Sequence, residues 1–465
     1  MKSSFLMTMF LMTLFFLFHG SFSVASEYGY PIKNPLSATI IGTPEALKAS
    51  QESLTFWQPD YVNIAPADSQ FDREIDNEYK ISIFPEREIS DLFWYEKGGL
   101  KYSIAEHDAQ APLIFIISGT GSSYRSSLIK NMQKNFYQAG FHVVAISSPT
   151  IPNFMLNAST SVMPGNMYED SADIHHAMQM IMNKHDDIQV SDFYLTGYSL
   201  GASHAVYVTK FDDEKQGERF QFKKVLLINP PVSLTNSVVL LDKMFEDNIP
   251  GGLDNFNVYY KKIIHKVSKF HHRNEDLGLG KEFFFEMFKE QPPSDQAMKA
   301  IIGFVFRVAS SGMVFTADVY NRQGYVIPKD RVSSLTASSS LTVYSKVAFR
   351  LGFDDYIKNF YLPNFVGKSG LTQKKLMTDA SLESIAPYLQ QNSRISVMHN
   401  LDDPILMPGE IDQIKALFPG RTTLYPYGGH LGNVTYKQNT YDMLEYFTGK
   451  KMTAMVNPAN KGAIK

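Results

Sequence analysis

The chain of 465 residues contains no cysteine. That excludes disulfides, metal–thiolate sites, a cysteine nucleophile and a lipid-modified N-terminal cysteine. It also lacks a charge of one sign. Its 44 Lys and Arg stand against 47 Asp and Glu, for a formal net charge of -3. Such a balance offers no global attraction for nucleic acid or an anionic membrane. No internal repeat is visible, and beyond the N-terminus no stretch approaches a membrane span in length and apolarity. What is present is an ordinary globular composition, 44% hydrophobic and 20% charged, on a chain long enough for a large domain with an insertion.

The N-terminus reads as a signal peptide. Lys2 is a short basic region, and residues 5–18 form an apolar run too short for a comfortable membrane span. Ser23-Val24-Ala25 then places small residues where a signal peptidase reads. Cleavage is expected near Ala25, with a periplasmic or secreted mature protein. Residues 26–90 form an N-terminal segment with leading strands. Lys80–Phe84 alternates as a strand does, and Leu92–Tyr95 with Leu100–Ile104 reads as a hairpin turned at Gly98-Gly99.

From Leu113 the pattern changes. Leu113–Ile117, Phe141–Ile146, Asp192–Leu195 and Lys224–Asn229 are apolar runs typical of strands buried on both faces. Helical patterns separate them, at Ser126–Ala139, Tyr168–His185 and Gly201–Thr209. This βα alternation predicts a mostly parallel, doubly wound α/β sheet over residues 91–234. Residues 235–390 are mainly helical by pattern and read as an inserted cap, with Ile301–Val308 expected to be buried. The strand pattern resumes over 391–450, at Arg394–Met398 and Thr422–Tyr425. Residues 451–465 read as a polar tail.

Gly197-Tyr198-Ser199-Leu200-Gly201 fits Gly-x-Ser-x-Gly. The string alone is weak, but here it follows a buried strand and opens a helix. A serine in so tight a strand-to-helix turn needs neighbours without side chains, hence Gly197 and Gly201. The helix N-terminus then directs amide hydrogens at developing negative charge. A serine nucleophile also needs a base and a group to orient it. After Ser199, Asp402-Asp403-Pro404 follows one predicted strand and Gly428-Gly429-His430 the next, both at carboxyl ends where an α/β sheet builds its site. On the residues alone either aspartate can serve.

These signatures resemble those of α/β-hydrolase-fold serine hydrolases, in particular a bacterial branch containing esterases. The resemblance covers roughly residues 90–235 and 390–450, and omits the N-terminal segment and most of the cap. It implies Ser199 as nucleophile, His430 as base and Asp403, which precedes Pro404-Ile405-Leu406, as acid, with Asp402 second. It further implies an oxyanion hole from the amide of Leu200 and one from the loop Ser118-Gly119-Thr120-Gly121, where Thr120 is the first choice and Gly121 the next. Many relatives begin that loop with His-Gly, whereas this chain has Ser-Gly. The implied activity is hydrolysis of a carboxylic ester through an acyl-enzyme, on a small or lipid-like acyl substrate, with no metal or cofactor. An acyltransferase with the same triad and a non-catalytic binding protein on the same fold are the other readings.

Other polar clusters read as structural. Asp170, Asp173, His175 and His176 are expected on a solvated helix face, His204 beneath the serine turn, and Gly367-Lys368-Ser369 in a loop without phosphate-binding context. The cap's aromatic residues, among them Phe256, Phe304, Phe306 and Phe315, are expected chiefly to form the cap's own core.

Overall fold

The structure is a computed structural model. It describes residues 28–49, 75–256, 258–259, 261–262, 265, 281–290, 292–366 and 370–451. The expected signal peptide, the loop Gly367-Lys368-Ser369 and the tail beyond 451 lie outside them.

Eight strands form one sheet: β1 (Asp76–Ile81), β2 (Leu100–Ala105), β3 (Ala111–Ile117), β4 (His142–Ile146), β5 (Val190–Tyr198), β6 (Val225–Ile228), β7 (Ile395–Asn400) and β8 (Thr422–Tyr425). Their spatial order is β1-β2-β4-β3-β5-β6-β7-β8. The pairs β1–β2 and β2–β4 are antiparallel and the rest parallel. With its helices on both faces, this is the α/β-hydrolase fold. In chain order the helices used below are α1 (Pro35–Ile41), α2 (Ser127–Gln138), α3 (Met167–Lys184), α4 (Leu200–Glu214), α5 (Leu234–Glu246), α6 (Asp295–Asn321), α7 (Glu410–Leu417) and α8 (Lys437–Thr448).

The period-two geometry of a strand explains why the central runs are apolar throughout. In β3, Ile114 and Ile116 pack with Ile129 and Phe136 of α2 and Leu444 of α8. Leu113, Phe115 and Ile117 face the opposite layer, with Ile174 and Met178 of α3, Val206 of α4 and Ile414 of α7. Between β6 and β7 the described residues contain helices and turns but no strand.

Three expectations are corrected. Leu92–Tyr95 is not a hairpin strand. Asp91–Glu96 forms a 3-10 helix, with Leu92 N–H donating to Ser90 Oγ, and β2 pairs with β1 instead. Ile301–Val308 is not uniformly buried, since Val305 is 60% and Val308 50% exposed while Arg307 is buried. Arg307 is accommodated because Asp242 of α5, at 3.1 Å, and Glu246, at 2.6 Å, neutralise it. Finally, α6 is itself long and apolar enough to cross a membrane by length and composition, although half of its apolar window is buried within the fold.

At the start of β4 and in the loop before β3, two histidines are held neutral. The His107 ring lies 4.0 Å from that of Tyr137, and its backbone N–H donates to His142 Nδ1 at 3.1 Å. Burial, aided by His142, holds the His107 imidazole down at about 4. Burial lowers His142 as well. Both fall below the roughly 6.5 of an unfolded chain, so below that pH the unfolded state takes up protons that the native state refuses. Their contribution to stability is complete above about pH 6.5 and is lost as pH falls toward the native value. Thermal melting across this range should show Tm falling below about pH 6.5, and a His107→Gln variant should flatten the fall. An unchanged profile in that variant contradicts the assignment.

Candidate active site

The serine turn is built from backbone crowding. Ser199 links β5 to α4 at φ 53°, ψ -128°, a region that residues with side chains rarely occupy. Its N–H donates to Ile228 O at 2.9 Å, which ties the turn to β6. A Cβ on Gly197 would lie 2.2 Å from Gly201 O, and one on Gly201 would lie 2.3 Å from Ile117 O. Both positions therefore exclude any side chain. Leu200 is the first residue of α4, so its N–H has no acceptor within the helix.

The three residues singled out in the sequence meet here. His430 Nε2 lies 2.9 Å from Ser199 Oγ, and His430 Nδ1 lies 2.9 Å from Asp403 Oδ2. Burial alone would raise the Asp403 carboxyl. Interaction with His430, then with His399 and Asn229, outweighs it and holds the group below the usual carboxylate range. An ionised carboxylate only accepts, so His430 carries its proton on Nδ1 and turns the Nε2 lone pair to Ser199. Ser199 is 6% and His430 4% exposed, so the pair is screened from bulk water.

Asp402 has a different place. Its two oxygens accept Gly428 N–H at 3.2 Å and Gly429 N–H at 2.9 Å, so it holds the turn that carries His430 rather than the imidazole. Burial raises its pKa, against those two bonds. Asn400 supports the same turn through Gly429 O at 2.8 Å.

The loop Ser118–Gly121 is pressed against the serine. A Cβ on Gly119 would lie 3.0 Å from Ser199 Cβ and 2.9 Å from the Tyr198 ring. The Tyr198 hydroxyl in turn bonds the Ser122 hydroxyl at 2.6 Å. Of the two loop amides expected to serve an oxyanion, that of Gly121 is committed to Thr150 Oγ1 at 2.8 Å. Thr120 and Leu200 line a cavity of about 60 Å³, together with Val238, Met313, Phe353, Tyr356 and Leu376 and without a charged side chain in its lining.

Three further residues stand at the site, the first of them missed by sequence reasoning. Asn229 directly follows β6 at φ 47° and donates to Asp403 Oδ2 at 3.0 Å. Its position at a strand end before Pro230-Pro231 is the one signal that marked it. His399 is fully buried and kept neutral by that burial. Its Nε2–H donates to Pro230 O at 3.1 Å, and its Nδ1 lies 4.0 Å from Asp403 Oδ2. Phe306 of α6 brings its ring centroid to 6.4 Å from that of His430. Other described cap rings pack elsewhere: Phe245, Phe256, Phe304 and Phe349 together, and Phe315 on Phe93.

The cluster on α3 is corrected. Asp170, Asp173 and His175 are buried, and only His176 faces solvent. The reason is pairing with α4 and with the segment that precedes α3. His175 Nε2 meets Asp212 Oδ1 at 2.8 Å, Asp173 accepts both the N–H and hydroxyl of Thr160, and Asp170 accepts Gly165 N–H at 2.7 Å. His204 is buried beneath the serine turn, 3.4 Å from Asp170. Among the described residues no group of three or more His, Asp or Glu is placed to hold a metal ion.

No protein-family model and no curated protein matches the chain. Solved structures similar to it include a candidate hydrolase of Legionella pneumophila, at 9% identity over 90% of this chain and 97% of the other, with a TM-score of 0.42. Candida antarctica lipase A in its closed state is 12% identical over 91% and 89%, at 0.41. A proline iminopeptidase-related protein of Thermus thermophilus is 13% identical over 80% and 97%, at 0.36. At such identity and superposition these likenesses carry nothing about chemistry, which rests on the geometry above.

Because the atoms facing Gly197 are backbone, they cannot move aside as a side chain would. Gly197→Ala should cost about 1–3 kcal/mol by overpacking, read as a lower denaturation midpoint. Wild-type stability in this variant would contradict the crowding described.

Proposed function

We infer that the chain is an exported serine hydrolase that cleaves a carboxylic ester. The carrying observation is the relay from Ser199 Oγ through His430 to Asp403, each link 2.9 Å, at a strained strand-to-helix turn. In the first half-reaction Ser199 Oγ bonds the acyl carbon while His430 Nε2 takes its proton. The carbonyl oxygen becomes an oxyanion, held by the amides of Leu200 and Thr120 and by the N-terminus of α4. The carbon–alkoxy bond then breaks, and His430 returns the proton to the leaving alcohol. In the second half, water loses a proton to His430 and attacks the acyl-enzyme. The Ser199–acyl bond breaks, Oγ recovers the proton, and the carboxylic acid departs. Asp403 keeps its charge throughout, fixing the tautomer and stabilising the imidazolium.

The uncharged cavity at Thr120 and Leu200 supports an apolar acyl group, since a charged one would be buried there without a partner. Export belongs to the same reading, on the strength of residues 1–25. A mature protein whose mass includes those residues argues against it.

The direct test is a fluorophosphonate probe on the wild type and on Ser199→Ala. Labelling of the wild type alone is expected, and a folded wild type that stays unlabelled overturns the reading. With a p-nitrophenyl ester as substrate, Asp403→Asn should lower kcat about 10⁴-fold through the wrong imidazole tautomer. Asp402→Asn, which retains an oxygen to accept the turn amides, should lose far less. Equal losses would remove the distinction drawn between the two aspartates.

A further inference from the structure

The turn that carries His430 belongs to no strand or helix, and Gly428, Gly429 and Leu431 all have positive φ. Such a segment supplies few hydrogen bonds of its own, so its position must be set by what it rests on. It rests on α1, some 390 residues earlier in the chain. His430 N–H donates to Thr39 Oγ1 at 2.8 Å, and the Thr39 hydroxyl donates onward to Pro35 O at 2.7 Å. The glycines flanking His430 let the two backbones touch. A Cβ on Gly429 would lie 2.1 Å from Pro35 O, and one on Gly432 would lie 2.2 Å from Ala38 O. Just outside α1, the hydroxyls of Tyr30 and Thr43 both donate to Gly432 O, at 3.0 and 2.8 Å.

Helix α1 also meets the cap. Ser37 Oγ lies 3.2 Å from Met298 Sδ, and Asn34 Nδ2 lies 3.4 Å from Asp295 Oδ1, both on α6. The same α6 places Phe306 beside His430 and packs Ala309 against Gly121 of the loop after β3. One seven-residue helix is therefore wedged between the cap and the back of the His430 turn.

We propose that Thr39 is a positioning residue for His430, and that α1 is a strut holding the His430 turn in register with Ser199. Asp403 orients the imidazole plane, but the distance from Nε2 to Ser199 Oγ also depends on where the backbone of residue 430 stands, and that is what Thr39 sets. The inference rests on the serine-hydrolase reading. Displacements of about 1 Å at a reacting pair cost on the order of 100-fold in rate, so a lost support at residue 430 is expected to be visible in turnover.

The test compares the wild type with Thr39→Val, which keeps the shape and removes the hydroxyl, and Thr39→Ser, which restores it. Turnover of a p-nitrophenyl ester and the rate of fluorophosphonate labelling are measured per folded molecule. Thr39→Val should lower kcat and the labelling rate about 10- to 100-fold with little change in KM, and Thr39→Ser should recover most of the loss. A residue that merely stabilises the fold would lower Tm and leave kcat per folded molecule intact, and that result overturns the proposal. If Thr39→Val does not fold, Thr39→Ala removes the same hydroxyl with less bulk, and an unchanged kcat per folded molecule there overturns the proposal. An active wild type matched by Thr39→Val ends the strut alone. A folded wild type that neither labels nor turns over ends the serine-hydrolase reading and the strut with it.

Discussion

Everything at the centre of this protein depends on the approach of two backbones at Gly197 and Gly201. The carbonyl oxygens of Gly201 and Ile117 occupy the space where side chains would begin. Only under that contact can β5 turn directly into α4 with Ser199 at the apex, in a conformation that would relax elsewhere. The strain is held by packing on every side: β6 grips Ser199 through Ile228 O, and the glycine-bearing loop after β3 lies against the serine Cβ. The serine is thereby presented at a helix N-terminus with a free amide beside it.

The second half of the site is a problem of buried polarity rather than of strain. Asp403 is withdrawn from water, and a buried carboxylate persists as an anion only if its lone pairs are taken. His430, Asn229 and the Ile405 amide take them. Around this pair a second set of polar groups answers to the turn rather than to the ring: Asp402 and Asn400 hold Gly428 and Gly429, and Thr39 holds the amide of His430 itself. Two adjacent aspartates thus divide the work by geometry, one facing the imidazole and the other its backbone.

The cap is tied to this centre by one long helix. α6 touches α1 at its start, His430 through Phe306, the loop after β3 through Ala309 and the apolar cavity through Met313. Its buried Arg307 is tolerable because α5 supplies Asp242 and Glu246. The cap is therefore part of the wall of the site, and its exposed Val305 and Val308 mark the face that looks away from the fold.

Local patterns in the chain were enough to foresee the parallel sheet, the order of its helices, and the serine, aspartate and histidine at strand ends. Each of those features is written in a few consecutive residues: an apolar run, a pair of glycines, a carboxylate before proline. Where local pattern misled, a distant partner had intervened. Leu92–Tyr95 looked like a strand, but β1 already occupied the neighbouring position on β2. Asp170, Asp173 and His175 looked solvated, but α4 and the Thr160 segment met them. Sequence alone determined which side chains can do chemistry and in what order they occur. Only the tertiary structure decided which aspartate faces His430, that Asn229 and Thr39 stand behind the pair, and that Phe306 lies over it. Those assignments follow from contacts across 27 to 391 residues, and nothing in a local stretch of chain encodes which distant hydrogen-bond partner a buried polar group will find.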